Sequence, residues 1–245
     1  EKSESGAWMD DKGKFHANRT NDAKLAESAF KAASSGLSLT RVEPGQYKSN
    51  PDPPFTTDTL LMKAGSEMSW KPGRTMKVAG ELYNAGHITY IRTDSTRTNV
   101  GAREDVKSYI KKIWGEDHLG KGVVGPDVKG DSTNVQDAHE AIRPTHPSSQ
   151  SIEGLSTEQA RLYRLIWARF AASQMSPSQY ERLSMSASAS GFEKTFTSTA
   201  SWRVHRGWEA AFEGIRKEPS IAPPTFNATV GETLELDSSD TDSSN

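Results

Sequence analysis

With 245 residues the chain can bury a real core, as one large domain or two modest ones. At 33% hydrophobic residues and a mean hydropathy of -0.71, that core is lean and loops are plentiful. The net charge of -2 hides an asymmetry: from Glu218 onward there are six acids and no Lys or Arg, leaving +4 on the rest, and Thr57–Lys121 carries eleven Lys/Arg against eight Asp/Glu, which permits phosphate contacts without arguing for them. The lack of cysteine excludes disulfides, thiolate-held zinc and cysteine nucleophiles. No apolar run approaches the roughly 18 residues that span a bilayer, and no basic-then-apolar leader is visible. The expectation is a cytoplasmic protein with no membrane contact. A start at Glu1 rather than methionine suggests an excised piece.

The first fifty residues are polar, with a turn signal at Asp11-Lys12-Gly13 and a short helix expected around Asp22 to Ala33. The stretch Gln46 to Pro54, QYKSNPDPP, is rich in turn formers and reads as a boundary. From Thr56 to Met175 the pattern is helical. Thr56 or Thr57 caps a helix running towards Ser69. Pro72 opens a second, with Met76, Ala79, Leu82 and Tyr83 on one side and Gly86 as its stop. A third starts near Thr98 or Asn99, aligns Val106, Ile110, Ile113 and Trp114, and ends at Gly115. The best marked begins at a capping box of Ser156 and Gln159, with Leu155 and Ala160 as a staple and Leu162, Leu165, Ile166 and Phe170 as its buried face. After Pro177 the period becomes 2. Leu183, Met185, Ala187 and Ala189 alternate with serines, and beyond a Ser190-Gly191 turn Phe196, Ser198, Ala200, Trp202 and Val204 share one parity. These are strands, joined to the N-terminal segment in one sheet. The end, SSDTDSSN, is of low complexity and expected to be disordered.

Two stretches can carry chemistry. In GHITYIRTDSTRT, Gly86 to Thr98, an extended run over Ile88 to Thr93 points Tyr90 and Arg92 one way and Thr89, Ile91 and Thr93 the other. A phenol can attack phosphorus and hold the product covalently, and a guanidinium can grip non-bridging oxygens. A strand tyrosine packed on its neighbour suits the same residues. In QDAHEAIR, Gln136 to Arg143, stopped by Pro144, a helix would put His139 and Arg143 on one face, where both could meet a phosphate; a solvated helix end fits equally.

GHITYIRTDSTR resembles the active-site signature of the type IA DNA topoisomerases, QDAHEAIRPT a second signature of that family, and LYRLIWARFAASQMSP a third block, in the family's order and spacing. Together they cover about Pro54 to Pro177, and Gly207-Trp208 and Val230 to Leu236 align loosely. The resemblance implies a mixed α and β fold: a helical domain bearing the nucleophile and a β-rich arch built from two separated chain segments. It divides the chain into 1–53 and 178–236 for the arch, 54–177 for the helical domain, and a 237–245 tail. It also implies that Tyr90 cuts one strand of DNA and becomes linked to its 5′ phosphate, with Arg92 assisting. His139, Arg143, Arg97, Thr93 and Ser95 would contact single-stranded DNA.

The family further implies magnesium (Mg), bound by a domain that precedes this segment, and a C-terminal domain that completes the DNA channel. Neither is matched here. The sole D-x-D, Asp240-Thr241-Asp242, lies in the serine-rich tail. The expectation is therefore a monomeric piece, inactive alone, whose partners are single-stranded DNA and the missing domains of its parent chain. Ile91 stands where family members carry methionine or proline. Two alternatives remain. A tyrosine recombinase-like transesterifier would place its tyrosine after the basic residues and link to a 3′ phosphate. A non-enzymatic single-strand-binding module would use tryptophans as stacking platforms, but Trp114, Trp167 and Trp202 fall on faces expected to be buried.

Overall fold

Leu162 to Ala172 carries only two charged residues, Arg164 and Arg169, among side chains that are otherwise aliphatic or aromatic. In the computed structural model, which describes residues 22–123, 140–215 and 229–234 and the strands at 8–9 and 15–16, this stretch belongs to a helix buried on almost every side. It is the last of five helices among the described residues: α1 (Ala23–Ser34), α2 (Thr57–Met68), α3 (Pro72–Asn84), α4 (Val100–Trp114) and α5 (Thr157–Ala172). The strands are β1 (Trp8–Met9), β2 (Phe15–His16), β3 (Leu37–Ser49), β4 (Ser178–Ala189), β5 (Phe192–His205) and β6 (Thr233–Leu234). No helix among the described residues is long and apolar enough to cross a membrane.

The chain divides into two compact units, one of Glu1–Gly45, Glu181–Trp202 and Ala222–Asn245, the other of Gln46–Tyr180 and Arg203–Ile221. In the second, the capping chemistry is that of the sequence. Thr56 and Thr59 form one capping box, Ser156 and Gln159 another, and the Asn99 side chain accepts from the Ala102 N–H at the start of α4. Pro72 sits in the first turn of α3. That helix ends in a Schellman motif, with Gly86 at φ 75°, its N–H donating to the Tyr83 carbonyl and the His87 N–H to the Leu82 carbonyl.

Two faces differ from the expectation. In α3 the buried residues are Thr75, Val78, Ala79 and Leu82; Met76 is only partly covered and Tyr83 is exposed. The stripe is rotated by about one residue because Thr75, a polar residue skipped in reading the pattern, packs inward. In α4 Ala102, Val106 and Ile110 are buried while Ile113 is exposed, so the last turn has left the core.

Ten residues of α5 are buried, and around them gather Phe55, Leu60, Trp70, Leu82, Ile88, Val106, Ile110, Ile142, Trp208 and Phe212. The polar atoms carried into this core are paired with loop carbonyls. Trp167 Nε1 donates to Pro147 O at 2.8 Å and Tyr163 Oη to Ser149 O at 2.7 Å. Arg169 donates through Nε to Pro53 O at 2.6 Å, pairs with Asp52, and lies over the Phe55 ring.

The other unit is built on a four-stranded antiparallel sheet of order β5-β4-β3-β6, together with α1, which Asp22 caps. Strands from the two ends of the chain thus share one sheet, as the sequence predicted. The β4–β5 hairpin turns at Ser190-Gly191, with Gly191 at φ 76°. The two units divide between Gly45 and Gln46, at the start of the run read as a boundary, while Gln46 to Ser49 complete β3 and the loop starts at Asn50. Pro44 and Gly45, poor strand formers, sit within that same strand and hid it. β1 and β2 pair antiparallel in the register Trp8↔His16, Met9↔Phe15. The Asp11-Lys12-Gly13 turn and the SSDTDSSN tail lie outside the described residues.

Burial pushes the Tyr163 phenol up to about 12 from 10.0. Its neutral form is the one the fold accommodates, so the stability it contributes is whole below pH 10 and is lost as pH climbs through 12. Tyr163→Phe should cost about 1 kcal/mol at neutral pH by leaving the Ser149 carbonyl unpaired. The gap to the parent protein should then narrow in urea unfolding run across that alkaline range.

Candidate active site

The segment after α3 makes no regular strand. Ile88 forms an isolated antiparallel bridge to Pro144, and the chain bends at Ile91 and Arg92. What fixes it is threonine chemistry on both sides of Tyr90. On one side the Thr89 hydroxyl donates to Ala141 O at 2.7 Å and accepts from Arg143 N at 2.9 Å, while Thr89 N donates to Arg143 O at 2.9 Å. On the other side the Thr57 hydroxyl, in the first turn of α2, donates to Ile91 O at 2.8 Å and accepts from Thr93 N at 2.9 Å. Thr57 N in turn donates to Thr93 O at 2.9 Å. Each hydroxyl both donates and accepts, replacing the ladder that an adjacent strand would supply.

Between the two clamps, Ile88, Ile91 and Thr93 are buried, and Tyr90 and Arg92 are exposed. Tyr90 is 37% exposed, and its ring meets that of Tyr83 in a T-shaped pair with centroids 5.5 Å apart. Among the described residues Arg92 has no ion-pair partner. A phenol and a guanidinium thus stand at the surface two residues apart, on backbone that cannot readily shift.

The remaining candidates fall in three places. Thr93 is buried and its hydroxyl accepts from Ser95 N at 3.0 Å; the Ser95 hydroxyl accepts from Arg97 N at 3.2 Å. Two successive hydroxyl-to-backbone turns therefore shape TDSTR. Arg97 is half-buried, and its carbonyl accepts from Ala141 N at 2.8 Å. The Arg143 side chain is 11% exposed and paired with Glu140, and Nη1 donates to Pro144 O at 3.0 Å. Its Nε is buried with no partner among the described residues. His139 lies outside the described residues.

The helix expected to hold His139 and Arg143 on one face is not formed over Glu140 to Pro144. That run is extended and bridges to Phe55 through Ile142 and to Ile88 through Pro144. Pro144 disfavours the helical conformation at Arg143, and the flanking carbonyls and N–H groups are used by Phe55, Thr89 and Arg97 instead. Sequence reading missed Thr57, Thr89 and Tyr83 as parts of this site. Thr57 stands more than thirty residues from Tyr90 and reads as a helix cap, so nothing local announces it.

Among the described residues, no group of three carboxylates comes together to suit the magnesium implied by the resemblance. Among the described residues the one group of three that could hold a metal, Asp117, His118 and His205, offers two imidazoles, whereas magnesium takes oxygen ligands.

A family model described as DNA topoisomerase matches residues 2–244. DNA topoisomerase 1 of Vibrio cholerae is 38% identical over 197 residues, covering 78% of this chain and 21% of that protein. DNA topoisomerase 1 of Haemophilus influenzae is 35% identical over 202 residues, covering 81% and 22%. Among solved structures, full-length topoisomerase I from Thermotoga maritima matches with a TM-score of 0.70 and 29% identity, over 94% of this chain and 36% of that one. The chain spans about a fifth of the length of these two curated relatives.

The clamp can be tested apart from any activity. Thr57→Val, nearly the same shape, strands the Thr93 N–H and the Ile91 carbonyl and should cost about 1–3 kcal/mol in urea unfolding. Amide exchange at Thr93 should quicken while the core amides of α5 keep their protection.

Proposed function

The chain belongs to the type IA DNA topoisomerase family, and on that premise we propose that Tyr90 is the nucleophile that opens one strand of DNA. The phenol oxygen attacks a backbone phosphorus, the bond from phosphorus to the 3′ oxygen breaks, and the 5′ phosphate stays on Tyr90. The phenol proton is lost and the released 3′ oxygen gains one. Religation runs the same step backwards, with the 3′ hydroxyl attacking and tyrosine leaving. No nucleotide is consumed, because the phosphodiester energy is kept in the phosphotyrosine while the other strand passes. The parent protein is thus an ATP-independent isomerase that changes the linking of DNA.

One observation carries the reading: Tyr90 is exposed beside exposed Arg92 on a segment pinned at both ends by Thr57 and Thr89. A fixed nucleophile suits in-line attack, since positioning supplies much of the barrier reduction. Arg92 is assigned to the charge that builds on the non-bridging oxygens. Arg97, Arg143 and His139 are assigned to the phosphates of the bound strand, while Thr93 and Ser95 act through the loop they shape. No step here runs through magnesium, which is assigned to another domain of the parent chain. This chain alone is accordingly expected to bind single-stranded DNA rather than cut it.

The stacking-module alternative is disfavoured by the tryptophans: Trp70, Trp167 and Trp208 are buried, and Trp202 Nε1 is committed to Glu181 at 3.0 Å. The test uses the parent protein with end-labelled single-stranded DNA and Mg²⁺, followed by denaturation. The expected result is a protein adduct on the 5′ phosphate that is absent in Tyr90→Phe and reduced roughly 100-fold in Arg92→Ala. A 3′ linkage would move the protein to the recombinase-like class. Binding without any adduct in the parent would leave the stacking module.

A further inference from the structure

A second cluster of chemistry-bearing side chains is formed after α4. Gly115, at φ 95°, lets the chain leave the helix and enter a single 3-10 turn, Glu116–His118. There Asp117 and His118 meet His205, the last residue of β5, and one ligand atom from each lies within 4.8 Å of the others. The backbone beneath is held firmly. Ser176 N donates to His118 O at 2.8 Å, Leu119 bridges Met175, and Trp208 N donates to Ser176 O at 2.9 Å. At Gly207, φ 48°, an added Cβ would fall 2.5 Å from the Pro177 backbone, so the chain next to His205 is pressed against the same segment. The imidazoles are mostly covered, at 14% and 20% exposure, and Asp117 is open at 67%.

The hydrogen bonds fix where one lone pair points. The Ser176 hydroxyl has a single proton, and it donates that to Asp117 O at 2.9 Å. Towards His205 Nε2, 3.3 Å away, the hydroxyl can therefore only accept, which puts the ring proton of neutral His205 on Nε2. Nδ1 is left as a bare lone pair facing Asp117 Oδ2 at 3.9 Å. A lone pair opposed to a carboxylate oxygen asks for a cation between them. His118 Nδ1 lies 3.1 Å from the other carboxylate oxygen, and the two imidazole centroids are 4.7 Å apart. One dication placed between them would serve both nitrogens and the carboxylate.

We propose that Asp117, His118 and His205 form a binding site for a divalent transition-metal ion of the zinc class. Two imidazoles and one carboxylate suit zinc and its neighbours, and they suit magnesium poorly. Tetrahedral zinc with bonds near 2.0–2.1 Å has ligand atoms about 3.3 Å apart. The 3.1 Å between His118 Nδ1 and Asp117 Oδ1 is close to that value, and the exposed Asp117 can turn to shorten the 3.9 Å between its Oδ2 and His205 Nδ1. Water takes the fourth position. Ser176 is the outer partner that fixes the His205 ring, as second-shell groups do at metal-bound histidines. Binding ties the turn after α4 to the end of β5. The site stands apart from the chemistry assigned to Tyr90 and does not depend on it.

The test takes the full chain, stripped with chelator, and titrates Zn²⁺ by calorimetry and Co²⁺ by visible absorption. The expected result is one equivalent bound, with Co²⁺ bands of a tetrahedral nitrogen and oxygen set, unaffected by millimolar Mg²⁺. Asp117→Asn, an exposed change that leaves the core alone, should weaken binding at least about 10-fold, His205→Gln should abolish it, and Ser176→Ala should weaken it roughly 10- to 100-fold. Far-UV circular dichroism checks that each variant is folded. Absence of binding overturns the proposal. So does one equivalent that survives unchanged in folded Asp117→Asn and His205→Gln, since the ion then sits on other histidines.

Discussion

Everything in the larger unit answers to the burial of α5. A helix covered on nearly all sides has no solvent in which to place its polar side chains, and an unpaired donor there costs more than the hydrogen bond itself returns. Arg169, Trp167 and Tyr163 therefore reach out of the helix to the carbonyls of Pro53, Pro147 and Ser149. Arg164, whose guanidinium is partly desolvated, does the same to Ala211 and Glu213. The loops that supply these acceptors are fixed in turn. Phe55, next to the Arg169 contact, bridges Ile142, and Pro144, shortly before the Trp167 contact, bridges Ile88. The order of the Tyr90 segment is thus inherited, through two layers of loop, from one buried helix.

That inheritance explains what could be read in advance. Helix starts and stops depend on a few residues near each other in the chain, so Asp22, Pro72, Ser156, Gly86 and Gly115 announced them, and the pairs Thr56 or Thr57 and Thr98 or Asn99 did so to within a residue. The β4–β5 hairpin was legible for the same reason, through Ser190-Gly191 and the alternation around it. Long-range partners were not legible. Pro44 and Gly45 argue locally against a strand, yet β3 runs through them between β4 and β6. Glu140 to Pro144 looks like a helix end until Phe55, Thr89 and Arg97 claim its backbone groups. In α3 the burial of Thr75 and exposure of Tyr83 turned the expected stripe, a shift that pattern alone cannot resolve.

The candidate site divides along the same line. Tyr90 and Arg92 could be singled out because their chemistry is unusual as a pair and because the surrounding motif resembles that of a known family. The threonines that hold them could not, since a hydroxyl has the same appearance in sequence whether it caps a helix or pins a distant loop. Thr56 and Thr57 are neighbours with different work: Thr56 caps α2, while the Thr57 hydroxyl accepts from the distant Thr93 N–H. The cluster of Asp117, His118 and His205 was invisible for a similar reason, with nearly ninety residues separating its members.

The paired clamps also have a mechanical meaning. A pull on the Tyr90 side chain does not reach a single weak hinge. It is shared between Thr57, which passes it into α2, and Thr89, which passes it into the extended run at Ala141 to Arg143. Several short hydrogen bonds, spread over two anchorages, must give way before the tyrosine can be drawn from its place, so the tether resists tension from either direction along the chain.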